Sequence, residues 1–215
     1  MELKLQKLSI MLIDSSMTDQ QFTEEILFFK QFPVRSIFVL PYNVLRAKQL
    51  LTGTTIRVSS FVDFPLGNGM LAKKAFETGQ MYREGASDVF VTMAPEQLRT
   101  EGNQKYQVLE QLSFGRNALG FFLDSSKMTD RQKNKLASDL AGLNIPSLAL
   151  GLNLTMEQAI YDMSIFRIGH LKNVAFQVNV QAPTLLEIEL LFQAGVSQIG
   201  ISNGREVLPL ISKWN

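Results

Sequence analysis

Eight short apolar runs, separated by longer amphipathic stretches, constrain this chain more than any other feature. The runs are LSIMLI (8–13), SIFVL (36–40), RVSSFV (57–62), DVFVTM (88–93), ALGFFL (118–123), SLALGL (147–152), VAFQVNV (174–180) and QIGIS (198–202). None alternates cleanly between apolar and polar, which is the pattern of parallel strands covered on both faces. Between them lie helical stretches: TDQQFTEEILFFKQF, NVLRAKQLL, GMLAKKAFETGQMYREG, QKYQVLEQLSF, TDRQKNKLASDLAGL, TMEQAIYDMSIFRIG and TLLEIELLFQAG. Two of these open on a capping box, Thr129 with Gln132 and Thr184 with Glu187, and run to a glycine stop at Gly142 and Gly195. Strand and helix alternate through all 215 residues without a linker-like segment, so the pattern predicts one (β/α)8 barrel domain over 1–215. A doubly wound open sheet is the alternative.

Composition removes several chemistries. The chain has no cysteine, which excludes disulfides and thiolate metal sites, and one histidine, His170, which excludes an all-histidine site. An oxygen-ligand site stays open, but no metal or cofactor is expected. A net charge of +1 gives no bias towards nucleic acid or an anionic membrane. The N-terminal MELKLQKLSIMLID is too short in its apolar part to span a bilayer, and no small-residue cleavage site follows it. A cytoplasmic protein is expected.

In a (β/α)8 barrel, function lies at the C-terminal ends of the strands. The residues there are Asp14-Ser15-Ser16, Pro41-Tyr42-Asn43, Asp63-Phe64-Pro65 and Thr92 in the first half. In the second half they are Asp124-Ser125-Ser126-Lys127, Gly151-Leu152-Asn153, Gln177 to Gln181 and Ser202-Asn203-Gly204.

Residues 57–93 carry Asp63, Phe64, Pro65, Leu66, Gly67, Glu77, Thr78, Gly85 and Ala86 in a spacing that resembles the deoxyribose-phosphate aldolases. That family runs V-x-x-V-V-x-F-P-x-G, then K-x-x-E-T on a helix, then G-A-D-E-x-D. IDSS keeps Asp14 of the family's I-D-H-T, and FVLPYNVLRAKQLL keeps Pro41, Tyr42, Val44, Ala47 and Lys48. The closing AGVSQIGISNG keeps Gly195, Ile199, Gly200, Ser202 and Gly204. Four weak matches in order imply the family's barrel.

The resemblance also implies a mechanism, and this chain lacks its parts. In the family a lysine on strand 6 forms a Schiff base, a lysine on strand 7 depresses its pKa, and an aspartate on strand 4 relays protons. Here no lysine lies between Lys135 and Lys172 or between Lys172 and Lys213, so strands 6 to 8 hold none in any register. The three positions fall at Ala149, Gln177 and Phe90. The resemblance further implies phosphate binding at Gly200, Ser202, Asn203 and Gly204, with Arg205 as an added charge. The family's glycines after strand 7 are replaced by Val180-Gln181-Ala182-Pro183, and the loop after strand 6 reads as shortened and leucine-rich. Asn203-Gly204 equally suits a plain turn into the last helix.

Other candidates come from position alone. Lys127 is the lysine read as nearest a strand's C-terminal end, beside Asp124, and is the candidate for a relocated Schiff-base amine; a solvated side chain is the plainer reading. Gln177 and Asn179 share a strand face and either meet a ligand or form a polar layer; Asp14 and Asp124 join them as pocket candidates. His170 reads as a surface or capping residue, Trp214 as an end plug or contact, and Phe28-Phe29 as facing the barrel or a partner. Three functions follow, in order: an aldolase-like barrel without Schiff-base chemistry that binds a small, phosphorylated or plain, molecule; a structural or interaction protein with a side-chain-filled mouth; and a lyase acting on a sugar phosphate through Lys127. A homo-oligomer is compatible with each.

Overall fold

A computed structural model describes residues 5–98, 107, 109, 119–141, 145–168, 171 and 174–213. Eight strands form a closed barrel in sequence order, β1 (Leu8–Leu12), β2 (Ser36–Val39), β3 (Arg57–Val62), β4 (Asp88–Thr92), β5 (Leu119–Leu123), β6 (Ser147–Leu154), β7 (Ala175–Val180) and β8 (Gln198–Ile201). All neighbours are parallel, and β1 pairs with β8 through Ser9 opposite Gly200. That closure removes the open-sheet alternative. β6 corrects the sequence reading: it continues to Leu154 across a register shift, with Gly151 at φ 58° and Asn153 at φ 52°. The stretch taken for a shortened loop is therefore an irregular strand end, bent by two left-handed residues.

The helices described are α1 (Asp19–Phe29), α2 (Val44–Leu50), α3 (Leu71–Arg83), α4 (Asp130–Leu140), α5 (Met156–Ile168), α6 (Leu185–Gln193) and α7 (Gly204–Ser212). Thr129 with Gln132 and Thr184 with Glu187 form the reciprocal caps expected from sequence. Thr18 with Gln21 and Thr155 with Gln158 do the same at α1 and α5, satisfying amides that each helix start leaves open. The helix expected at QKYQVLEQLSF lies largely outside the described residues, as do His170 and Trp214.

Strand side chains alternate between the helix layer and the barrel axis. Outward residues such as Ile10, Ile37, Val89, Phe121, Leu148 and Ile199 build the main core under the helices. The axis is filled in layers. At the N-terminal end Arg57 grips Asp88 through two bonds of 2.8 and 2.7 Å, Ser59 donates to the same carboxylate, and Ser36 donates to Ser9. Above this polar floor stand Met11, Phe38, Phe61, Phe90, Phe122 and Ala149, all buried.

Candidate functional site

The middle of the barrel mouth is aromatic. Phe61 lies 5.0 Å from Phe38 and 4.9 Å from Phe122, centroid to centroid, and Phe64 stacks on it from above at 5.0 Å. Phe90 leans on Phe38 at 5.5 Å. Phe90 is thus one wall of a packed apolar ring, with no group that exchanges a proton. Ala149 sits in the same ring, fully buried, directly opposite Gln177 on β7. Neither carries an amine.

Gln177 and Asn179 complete the axis on the β7 side, both buried. Asn179 Nδ2 donates to the carbonyls of Gly151 at 2.8 Å and Leu150 at 3.3 Å, which leaves Asn179 Oδ1 to accept from Gln177 Nε2 at 2.8 Å. The polarity of the chain is therefore set by two backbone carbonyls. Its consequence is that Gln177 Oε1 is left out of the network and has no donor among the described residues. Of the two readings made from sequence, the pair takes the internal one for three of its four polar atoms.

The segment that best matches the aldolase pattern is a structural clamp. Asp63 ends β3 with φ 56°, a conformation held by its own N–H donating to Glu77 Oε2 at 3.0 Å. Its carboxylate accepts from Gly69 N–H and Lys73 Nζ, both at 2.6 Å, and Lys74 Nζ lies 3.4 Å away. Burial opposes ionisation of Asp63. The hydrogen bonds from Lys73 and Gly69 and the charges of Lys74 and Lys73 outweigh it, so the carboxyl is held below its ordinary range. Lys74 itself is buried and donates to the carbonyls of Gly67 at 2.6 Å and Thr92 at 2.8 Å. This ammonium, unlike that of Lys127, is buried between the C-terminal ends of β3 and β4. The sequence reading passed over it, although it is the lysine of the K-x-x-E-T match.

Lys127 points to solvent, its side chain 77% exposed, and pairs with Asp124 at 2.8 Å. The hydrogen bond to that carboxylate and its charge raise the lysine's pKa, the opposite of what imine formation requires. Burial works against ionisation of Asp124, but Lys127 and Ser126 together keep its pKa low. The two residues chosen from sequence do meet, as an ion pair at the rim.

A cavity of about 510 Å³ opens off the axis, between the ends of β1, β6 and β8 and the helices α1 and α7. Met11, Ile13 and Leu152 line its apolar side, and Asp14, Asn153, Ser202, Asn203, Arg205 and Glu206 line its polar side. Ser202 and Asn203 thus reach a cavity; Gly200 and Gly204 do not line it. A methyl on Gly200 would strike Asn179 Oδ1 and stand 2.9 Å from Met11 Sδ, and one on Gly204 would stand 2.8 Å from Ile10 Cδ1. Both glycines are explained by close packing. Ser202 N–H is bonded to Val180 O at 3.1 Å, Asn203 N–H to Gln181 O at 2.9 Å, and Ser202 Oγ donates to Asn153 Oδ1 at 2.6 Å. Arg205 gives Nε and a terminal nitrogen to Glu25, at 2.8 and 2.7 Å, and lies 4.3 Å over Phe28. Phe29, by contrast, is core. Ser16 Oγ and N–H both donate to Asp14 and hold its carboxyl below the ordinary range. Among the described residues, no group of three or more metal-ligating side chains gathers, and no helix is long and apolar enough to cross a membrane.

No family model matches the chain. A deoxyribose-phosphate aldolase of Lysinibacillus sphaericus is 26% identical over 208 residues, covering 92% of this chain and 91% of the relative. One from Malacoplasma penetrans is 25% identical over 186 residues, covering 83% and 82%. Among solved structures, the tetrameric deoxyribose phosphate aldolase of Aeropyrum pernix superposes with a TM-score of 0.81 at 15% identity, covering all of this chain and 93% of that one. The dihydrodipicolinate synthase of Thermotoga maritima, another (β/α)8 barrel by its superposition, follows at 0.59 and 14%, covering 94% of this chain and 71% of that one.

Proposed function

We propose, from the premise that this chain belongs to the deoxyribose-phosphate-aldolase-like barrels, that it has given up Schiff-base aldol chemistry and binds a small molecule at the mouth. One observation carries the reading: where an imine-forming lysine and its partner belong, β6 presents Ala149 inside an apolar ring with Phe90 and Phe122, and β7 presents the amide of Gln177 opposite it. Among the described residues, that ring offers a carbonyl substrate no nucleophile and no titrating group. The cavity beside Asn153, Ser202 and Arg205 is the binding place. The ligand is a small metabolite, phosphorylated or plain, and the protein is cytosolic.

The phenylalanine ring also favours a second reading, a structural or interaction protein whose mouth is occupied by its own side chains. Tyr42, Leu66, Met70 and Phe76 leave large apolar areas on the outside, which suits assembly with further copies. The lyase reading through Lys127 has the Asp124 ion pair against it.

The test is intact mass after incubation with 2-deoxyribose 5-phosphate and borohydride, beside an active aldolase as control, followed by calorimetry with a metabolite panel. No adduct together with saturable binding supports the first reading. No adduct and no binding supports the second. An adduct mapped to any lysine overturns both.

A further inference from the structure

Two asparagine–glycine pairs occur in the chain, Asn68-Gly69 in the turn between β3 and α3 and Asn203-Gly204 at the start of α7. Such a pair is labile in water, because glycine has no Cβ to keep its amide nitrogen from the carboxamide before it. At the first pair, the Gly69 nitrogen gives up its proton to water and forms a bond to Asn68 Cγ. The Cγ–Nδ2 bond breaks, and ammonia leaves with a proton returned by water. A water molecule then opens the cyclic imide at either carbonyl, leaving a carboxylate where the amide stood. The net change is one water taken up and one ammonia released.

Asn68 is exposed, but the nitrogen that this reaction needs is engaged. Gly69 N–H donates to Asp63 Oδ2 at 2.6 Å, and Gly67 N–H closes the same turn on Asp63 O at 2.9 Å. The Asp63 carboxylate lies so close over Gly69 that a methyl there would stand 2.5 Å from Oδ1. Attack by Gly69 would forfeit that hydrogen bond and develop negative charge directly against a buried carboxylate. Asp63 cannot take the proton itself, since Lys73, Gly69 and Lys74 hold its carboxyl below the ordinary range and make it a weak base. The contact that demands glycine at 69, and so creates the labile pair, also shields it.

We infer that Asn68 is a modification site, a deamidating asparagine whose conversion Asp63 holds in check. The inference stands apart from the ligand reading above. Conversion undoes its own guard: the new carboxylate faces that of Asp63, and the β-linked product adds a methylene to the main chain between 68 and 69, drawing Gly69 N–H off its acceptor. Asn203-Gly204 is the comparison within the same chain, since no carboxylate accepts from Gly204 N–H among the described residues.

Peptide mapping by mass spectrometry after long incubation at neutral pH tests this on the whole protein, native and in urea, and on native Asp63→Asn and Asp63→Ala. The first variant removes the charge and leaves one amide oxygen for Gly69 and Lys73 to compete for; the second removes the acceptor. Thermal melting confirms that each variant is folded at the incubation temperature, and the wild-type comparison of native with urea needs no variant. Asn68 is expected to convert at least about tenfold more slowly in the native wild type than in urea, and at least about tenfold faster in the folded variants than in the native wild type. Asn203 should keep one native rate in all three proteins. Conversion of Asn68 in the native wild type as fast as in urea overturns the inference. So does protection of Asn68 that survives the substitutions. Equal acceleration of Asn68 and Asn203 also overturns it, because that marks a general loosening of the fold and not the loss of a guard.

Discussion

The Lys74 ammonium donates to the carbonyl oxygen of Thr92 at 2.8 Å, joining the first turn of α3 to the last residue of β4. With the Gly67 carbonyl at 2.6 Å and Asp63 at 3.4 Å, it is a buried cation held entirely by the protein. Removing it strands these acceptors in a dry site. Lys74→Met is expected to cost about 3 kcal/mol or more. Its neighbour Lys73 reaches the same carboxylate from solvent, its side chain 59% exposed, so Lys73→Met should cost under about 1 kcal/mol. Urea denaturation of the two variants checks the contrast. Equal losses would show that Lys74 is not the clamp.

Asp63 makes this region sensitive to acid. Its carboxyl pKa is lowered in the folded state, so the group contributes stability that is present above its unfolded pKa of about 3.9. That contribution drains away as the pH falls through the folded value. Lys73, whose pKa is raised by the hydrogen bond and charge of Asp63, stays protonated throughout this window and adds no slope. The wild type should therefore lose more stability between pH 7 and strongly acid solution than Asp63→Asn does, although Asp63→Asn is less stable at pH 7. Parallel acid limbs in the two proteins would show that Asp63 titrates normally.

Much of the barrel was readable because strands buried on both faces are continuous apolar runs, and the capping threonines mark the helix starts. The missing amines were readable too, since a stretch without lysine needs no register. What escaped the sequence depended on helix phase and distant pairing. Lys73 and Lys74 are adjacent, yet only Lys74 shares the buried face with Thr78 and Tyr82, four and eight residues on. That spacing was a usable signal. Glu25 and Arg205 are 180 residues apart, and nothing local announces that Arg205 is already spoken for. The glycines misled for a related reason. Gly200 and Gly204 look the same whether a phosphate or a methionine and an isoleucine approach them.

Gly200 therefore offers a test of packing against ligand approach. A methyl there meets Asn179 Oδ1 and Met11 Sδ, and Asn179 is fixed by two backbone carbonyls and cannot retreat freely. Gly200→Ala is expected to destabilise the fold by about 1–3 kcal/mol through overpacking. Adding Met11→Ala to Gly200→Ala should recover none of the loss, because the closer of the two obstacles is the amide. Thermal unfolding of the two variants measures it; a rescue by Met11→Ala would shift the blame to the thioether.

Restoring the absent amine is the hardest demand this barrel can be given. Ala149 is fully buried and packed with Phe122, Phe61 and Phe90, so a lysine there brings four methylenes and a charge into a filled, apolar space. Overpacking alone costs about 1–3 kcal/mol. The charge adds a desolvation penalty that the site relieves only by releasing the proton. A buried acceptor without a donor among the described residues, Gln177 Oε1, belongs to the residue directly across the β6–β7 pair. Ala149→Lys is therefore expected to fold poorly, whereas Ala149→Lys with Phe122→Ala, which opens room in the ring, should fold and hold a lysine of depressed pKa. Borohydride trapping with 2-deoxyribose 5-phosphate then separates two requirements. An adduct in the double variant would show that only the amine had been lost, and its absence would show that the cavity no longer delivers the sugar phosphate to the axis.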